Sequence, residues 1–68
     1  MDANELGRQV FQKRKEKGLS QTELSKIVGI SRNYVSQIER GEARGILMRI
    51  FNQLAVALGA SIAELYGA

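Results

Sequence analysis

The amino-acid sequence predicts an all-α domain on three observations. No proline occurs among the 68 residues. Apolar residues recur three or four apart instead of alternating, which is the spacing of helices that bury one face rather than of strands. Capping signals and isolated glycines punctuate the chain at intervals suited to short helices. At 7.5 kDa there is room for one hydrophobic core, so 1–68 reads as a single domain.

Five helical segments follow in order. The first begins at Asp2, an N-cap with Glu5 three residues on, carries Leu6 and Val10 one turn apart, and stops at Gly18 after Lys17. The second has the clearest start, because Ser20 and Glu23 form a capping box; Leu24, Ile27 and Val28 make its apolar stripe, and Gly29 ends it. The third opens at the N-cap Ser31 and runs to Gly41, with only Ile30 between Gly29 and the new cap. Two short helices joined by so tight a turn make a helix-turn-helix over about 20–41, whose members must cross steeply. A fourth helix covers roughly Leu47 to Leu58, with Phe51, Leu54, Ala55 and Leu58 at helical spacing before Gly59. Ser61 and Glu64 repeat the capping box and open a short fifth helix, whose Ile62 and Leu65 are expected to face the core.

Composition excludes several functions. With no Cys and no His, the chain lacks thiolate and imidazole ligands as well as the usual nucleophiles and proton shuttles, so no enzyme, metal site, cofactor or small-molecule site is expected. The longest uncharged run, Ile50 to Ala63, is broken by Asn52, Gln53 and Gly59 and falls short of the roughly 20 apolar residues that span a bilayer. The N-terminus carries Asp2 and Glu5 where a signal peptide has a basic start. A cytoplasmic protein without membrane contact is therefore the expectation.

The third helix carries the functional signal. On a helical wheel of about 100° per residue with Arg32 at zero, Ser36, Arg40, Asn33 and Gln37 fall between about 40° and about 140°, while Val35 and Ile38 fall at about 300° and about 240° on a separate arc. Arg makes paired hydrogen bonds to guanine, Asn and Gln make them to adenine, and Ser donates or accepts at several bases. An ordinary solvated helix carries Glu, Lys and Ala in salt-bridging pairs instead. This face sits on the second helix of a helix-turn-helix, the element that enters a major groove while its predecessor straddles the backbone.

From Gln21 to Gly41 the chain reads QTELSKIVGISRNYVSQIERG, which resembles the helix-turn-helix of the lambda-repressor and Cro-like family, also called the XRE family. The resemblance extends through Arg14, Gly18 and Leu19 on one side and LAVALGASIAEL, Leu54 to Leu65, on the other. It implies a five-helix domain that binds double-stranded operator DNA, usually as a homodimer, to regulate transcription. The family's base-reading positions fall on Arg32, Asn33, Ser36 and Gln37, and its phosphate-contacting positions on Gln21, Arg40 and Arg44. It also implies a salt bridge between Arg14 and Glu39 that ties the first helix to the third. Glu39 lies close to the core arc of its helix, where an acidic residue wants a partner. Tyr34 borders the core and is read either as packing there or as reaching a phosphate with its hydroxyl.

Two features depart from the family. The segment EARGILM, with Ile46, Leu47 and Met48, stands where a polar, Pro-marked helix start is common, and Phe11 is apolar where a polar residue is usual. Ile46, Leu47 and Met48 have two readings: they fill the core, or Ile46 and Leu47 join Leu65 and Tyr66 in a two-fold contact between copies. The function expected is a sequence-specific transcriptional regulator, either a repressor or an autoregulatory controller, occupying a palindromic operator through its third helix. The chain is read as a whole minimal regulator or as part of a larger one. The competing class is a helical protein-interaction module without specific DNA binding. Charge favours the first: the net +3 hides a central segment, Arg8 to Arg49, where all ten basic residues face four acidic ones for a net of +6.

Overall fold

A computed structural model describes residues 3–66, in five helices: α1 (Ala3–Glu16), α2 (Gln21–Val28), α3 (Arg32–Glu39), α4 (Met48–Leu58) and α5 (Ile62–Tyr66). Asp2, the expected cap of α1, lies outside the described residues. No strand occurs among them, and no helix is long and apolar enough to cross a membrane.

The starts and stops follow local chemistry. The Ser20 hydroxyl accepts from the Glu23 amide at 3.0 Å while the Ser20 amide donates to the Glu23 carboxylate at 2.8 Å. Ser61 and Glu64 repeat both bonds, at 2.8 and 3.0 Å, at the head of α5. Ser31 caps α3 by accepting from the Tyr34 amide at 3.0 Å. Between α2 and α3 the backbone reverses at Gly29, whose φ of 83° is left-handed and costs little only without a Cβ. The Gly29 and Ile30 amides both return to the Ser25 carbonyl, at 2.8 and 3.0 Å, so the turn closes without orphaned donors.

Both capping carboxylates are pulled below their ordinary value of 4.5. At Glu23 the Ser20 backbone amide is the main cause; at Glu64 it is the Ser61 backbone amide, with Lys13 next. Carboxylates depressed in the folded state stabilise it above the ordinary pKa, and that support disappears as pH falls through the lowered values. Melting temperature is thus expected to hold from pH 7 to about 5 and to decline below pH 4.5. In Glu23→Gln the decline should be shallower; an unchanged profile would leave the caps without energetic weight.

The core is built by α1 against α3, α4 and α5, and by α2 against α3 and α4. Leu6, Val10, Leu24, Val28, Val35, Ile38, Phe51, Leu54, Leu58 and Leu65 fill it. Each fully buried aliphatic side chain of this kind stabilises by about 1.5–3 kcal/mol. Three expectations about apolar residues fail. Ile27 is exposed, because the inner arc of α2 is centred on Val28 with Leu24 on one side and Ser25 on the other, and the buried Ser25 hydroxyl donates to the Thr22 carbonyl at 2.7 Å. Ile62 is exposed too, at the first turn of α5, while Leu65 on the same face is buried. Met48 faces solvent rather than filling a core gap.

The expected contact between copies also changes. Leu65 is fully buried at 0% exposure, so its side chain is already occupied inside its own chain and is unavailable to a partner. Ile46 is half-buried against the core, and Leu47 remains exposed at 62%. The side chain of Tyr66 lies outside the described residues.

Leu47 occupies the N-cap of α4 and supplies no side-chain hydrogen bond there. Replacing an apolar cap by Asp contributes about 1 kcal/mol, and a domain this small gains roughly 4–8 °C for each. Leu47→Asp should therefore melt about 5 °C higher at low protein concentration. An unchanged or lower melting temperature would mean the first turn of α4 is held by other means.

Candidate nucleic-acid interface

The third helix is positioned from beneath. Val35 and Ile38 anchor α3 in the core, and the same 3.6-residue period turns Arg32, Asn33 and Gln37 outward into solvent. Ser36 is half-buried at the edge of this face. Tyr34 is likewise half-buried and packs against the core. The tight Gly29 turn sets α2 across α3, so the first turn of α2, with Gln21, lies near the start of the exposed face of α3. An open cleft of about 450 Å³ brings these parts together, with Gln21, Thr22, Lys15 and Arg32 on its walls.

Arg40 and Arg44 sit beyond the C-terminal end of α3, both exposed. Arg40 donates through Nε to the Ser36 carbonyl at 3.4 Å and pairs with Glu42 at 3.4 Å, a contact so solvated that it contributes little to stability. Arg44 projects from a loop held by the buried Ala43 and bracketed by Gly41 and Gly45, both at positive φ.

A buried polar cluster holds these elements in register. Arg14 donates from Nε to one Glu39 oxygen at 2.6 Å and from a terminal nitrogen to the other at 3.1 Å, and its remaining terminal nitrogen donates to the Leu19 carbonyl at 2.8 Å. The two side chains are 8% and 5% exposed. Gln21 adds a third partner by donating from Nε2 to Glu39 Oε1 at 3.0 Å. One carboxylate from α3 thereby binds α1 and α2 together. The Arg14 guanidinium also lies 5.3 Å from the centre of the Phe11 ring, which gives this unusual aromatic a cation–π role at the rim.

Sequence reasoning missed two positioning features. Gln21 bonds to Glu39 as well as standing at the cleft, and only the folded geometry brings residues so distant in sequence together. Gly7 lies in the middle of α1, where a Cβ would meet the Ile38 carbonyl oxygen and the Glu39 carbonyl oxygen, the latter at 2.7 Å. The signal for it was present: a glycine inside a helix costs about 1 kcal/mol against alanine and therefore marks a close approach.

Comparison with known proteins gives the class to which this architecture belongs. The chain belongs to the HTH_3 helix-turn-helix family, whose model matches residues 10–65, and with it to the DNA-binding transcriptional regulators of the XRE type rather than to the enzymes. It is 39% identical over 66 residues to the HTH-type transcriptional regulator y4dJ of Sinorhizobium fredii, covering 96% of this chain and 84% of that one. It is 51% identical over 41 residues to the ImmF control region 10 kDa protein of Bacillus phage phi105; that match covers 60% of this chain and just under half, 46%, of the phage protein. Among solved structures, the restriction-modification controller protein C.AhdI of Aeromonas hydrophila superposes with a TM-score of 0.85 at 36% identity, over 94% of this chain and 96% of that one. The biofilm master regulator SinR, solved in complex with DNA, gives 0.82 at 31% identity, over 90% and 97%.

Proposed function

We propose that the protein is a sequence-specific repressor or autoregulatory controller that occupies a palindromic operator as a homodimer, in the cytoplasm, with α3 in the major groove. The observation that carries this reading is the exposed face of α3. Arg32, Asn33 and Gln37, with Ser36 beside them, are the side chains that pair with base edges, on the helix that a helix-turn-helix inserts. Arg40 and Arg44 flank that helix as phosphate contacts, and Gln21 serves the same role from the head of α2, where helix amides and dipole favour an anion. The names of the phage control-region protein and the restriction-modification controller favour a controlling role.

A single reading helix touches too few bases for tight selection, and two related by a dyad read half-sites about 34 Å apart. The domain measures 26 × 21 × 20 Å, less than that spacing in every direction, so one copy cannot span both half-sites. Leu47, exposed and useless as a cap, with Ile46 at its flank, is the apolar surface assigned to the contact between copies. A monomer in sedimentation at high micromolar concentration would overturn a dimer formed before DNA is met.

Selection from a random duplex library followed by salt titration tests the whole reading. A palindromic site should emerge, with log affinity falling against log salt at a slope of about −3 to −5 per subunit. Gln37→Ala should relax selection at one or two base pairs and leave the rest intact. Arg40→Ala should weaken every sequence alike and reduce the slope by about 1. Unselective binding by the wild-type protein, or operator binding untouched by both changes, would refute the docking.

A further inference from the structure

We infer that Glu39 is a positioning residue for the DNA backbone contact of Gln21: held by Arg14, its carboxylate turns the Gln21 carboxamide so that the second Nε2 hydrogen meets a phosphate oxygen. The inference rests on the proposed role of Gln21 and assigns it a mechanism.

The geometry has three parts. Glu39 is 5% exposed at its side chain and accepts three hydrogen bonds, two from Arg14 and one from Gln21. An ionised carboxylate only accepts, so the neighbouring amide has one permitted orientation, with nitrogen toward Glu39; the flipped amide would set oxygen against oxygen and lose the bond. An amide nitrogen carries two hydrogens, and Glu39 takes one at 3.0 Å. Gln21 is only half-buried and lines the open cleft beside Thr22 and Arg32, so its carboxamide borders solvent where the backbone of a duplex would pass.

Orientation matters because the two ends of an amide act oppositely on a phosphate. Nitrogen donates to it and oxygen repels it, so an amide free to flip spends part of its time in the unproductive state. Arg14 takes no part in this contact beyond holding the carboxylate. Its charge is already paired inside the domain, and its other terminal nitrogen donates to the Leu19 carbonyl at 2.8 Å.

A double-mutant cycle of Gln21→Met and Glu39→Gln tests the coupling, read as affinity for a mixed-sequence DNA duplex at a temperature where circular dichroism finds each variant folded. Gln21→Met should weaken the wild-type protein about tenfold, the scale of a hydrogen bond to a charged group. The salt slope should not change, because a neutral side chain releases no counterion. In the Glu39→Gln background the same change should cost less than about twofold. An equal loss in both backgrounds overturns the inference.

If Glu39→Gln does not fold, the side-chain amide resonances of Gln21 in the wild-type protein give the answer. On adding duplex, one Nε2 hydrogen should shift and the other keep the signature of its bond to Glu39. Equal shifts, or none, overturn the inference. Failure of the wild-type protein to bind any duplex would instead remove the proposed function beneath it.

Discussion

Glu39→Ala is expected to lower the melting temperature by on the order of 15 °C, the largest loss from any single change outside the apolar core. The substitution leaves the Arg14 guanidinium buried opposite a void, and removing one partner of a buried pair costs about 3–5 kcal/mol, most of it the cost of the charge left behind. A domain of this length loses roughly 4–8 °C per kcal/mol. Gln21 loses its partner in the same step, so three helices are released at once. The comparison that isolates the cause is Arg14→Met with Glu39→Leu. Apolar side chains of similar volume remove both charges together, and such replacements are often neutral or stabilising. Calorimetry on the two proteins should find the single variant far less stable than the double one; equal melting temperatures would mean that the cluster stabilises by packing and not by its charges.

Gly7→Ala is expected to destabilise by about 1–2 kcal/mol, lowering the melting temperature by roughly 5–10 °C, although alanine is the better helix former. Two effects compete. Helix propensity favours alanine by up to about 1 kcal/mol. Against it, the new Cβ would meet backbone oxygens of Ile38 and Glu39, which belong to a helix and cannot step aside as a flexible side chain can. Overpacking of this kind costs about 1–3 kcal/mol, and it wins because α1 and α3 must separate as whole bodies. That separation moves α3, the helix proposed to read DNA, so duplex affinity, measured well below the melting temperature, should fall as well. A rise in melting temperature would show that the two helices approach less closely than the structure has them.

The helix starts were legible because their signals are local. Ser20 with Glu23, Ser31, and Ser61 with Glu64 each satisfy amides within three residues, and no tertiary contact is needed to complete the bonds. The two faces of α3 were legible for a similar reason: Val35 and Ile38 are its only strong aliphatics, and they fall on one side. What escaped was direction in the shortest elements. In α2, Leu24, Ile27 and Val28 fit an apolar stripe equally well with Ile27 inside or outside, and burial of Ser25 decides it. In α5, Ile62 and Leu65 stand one turn apart on the same face, and only the packing of that face leaves Leu65 buried and Ile62 exposed. The polar cluster escaped in part because a carboxylate shared by α1, α2 and α3 joins residues 14, 21 and 39, whose meeting depends on helix packing. Only its Arg14–Glu39 limb was anticipated, through family resemblance; the Gln21 limb has no local signature.

Under the proposed docking, the close approach at Gly7 bears on how operators would be told apart. The backbone of α3 rests on α1 near Ile38 and Glu39, and the Glu39 carboxylate ties the same end to α1 and α2. A head clamped in this way has little freedom to roll or tilt toward an imperfect site. Under the proposed docking the adjustment would fall to the duplex, which would twist and bend until its groove met the helix, and steps that deform easily do so at lower cost. Base pairs that no side chain touches, those between the half-sites above all, would thus enter the selectivity of this protein through the stiffness of the DNA.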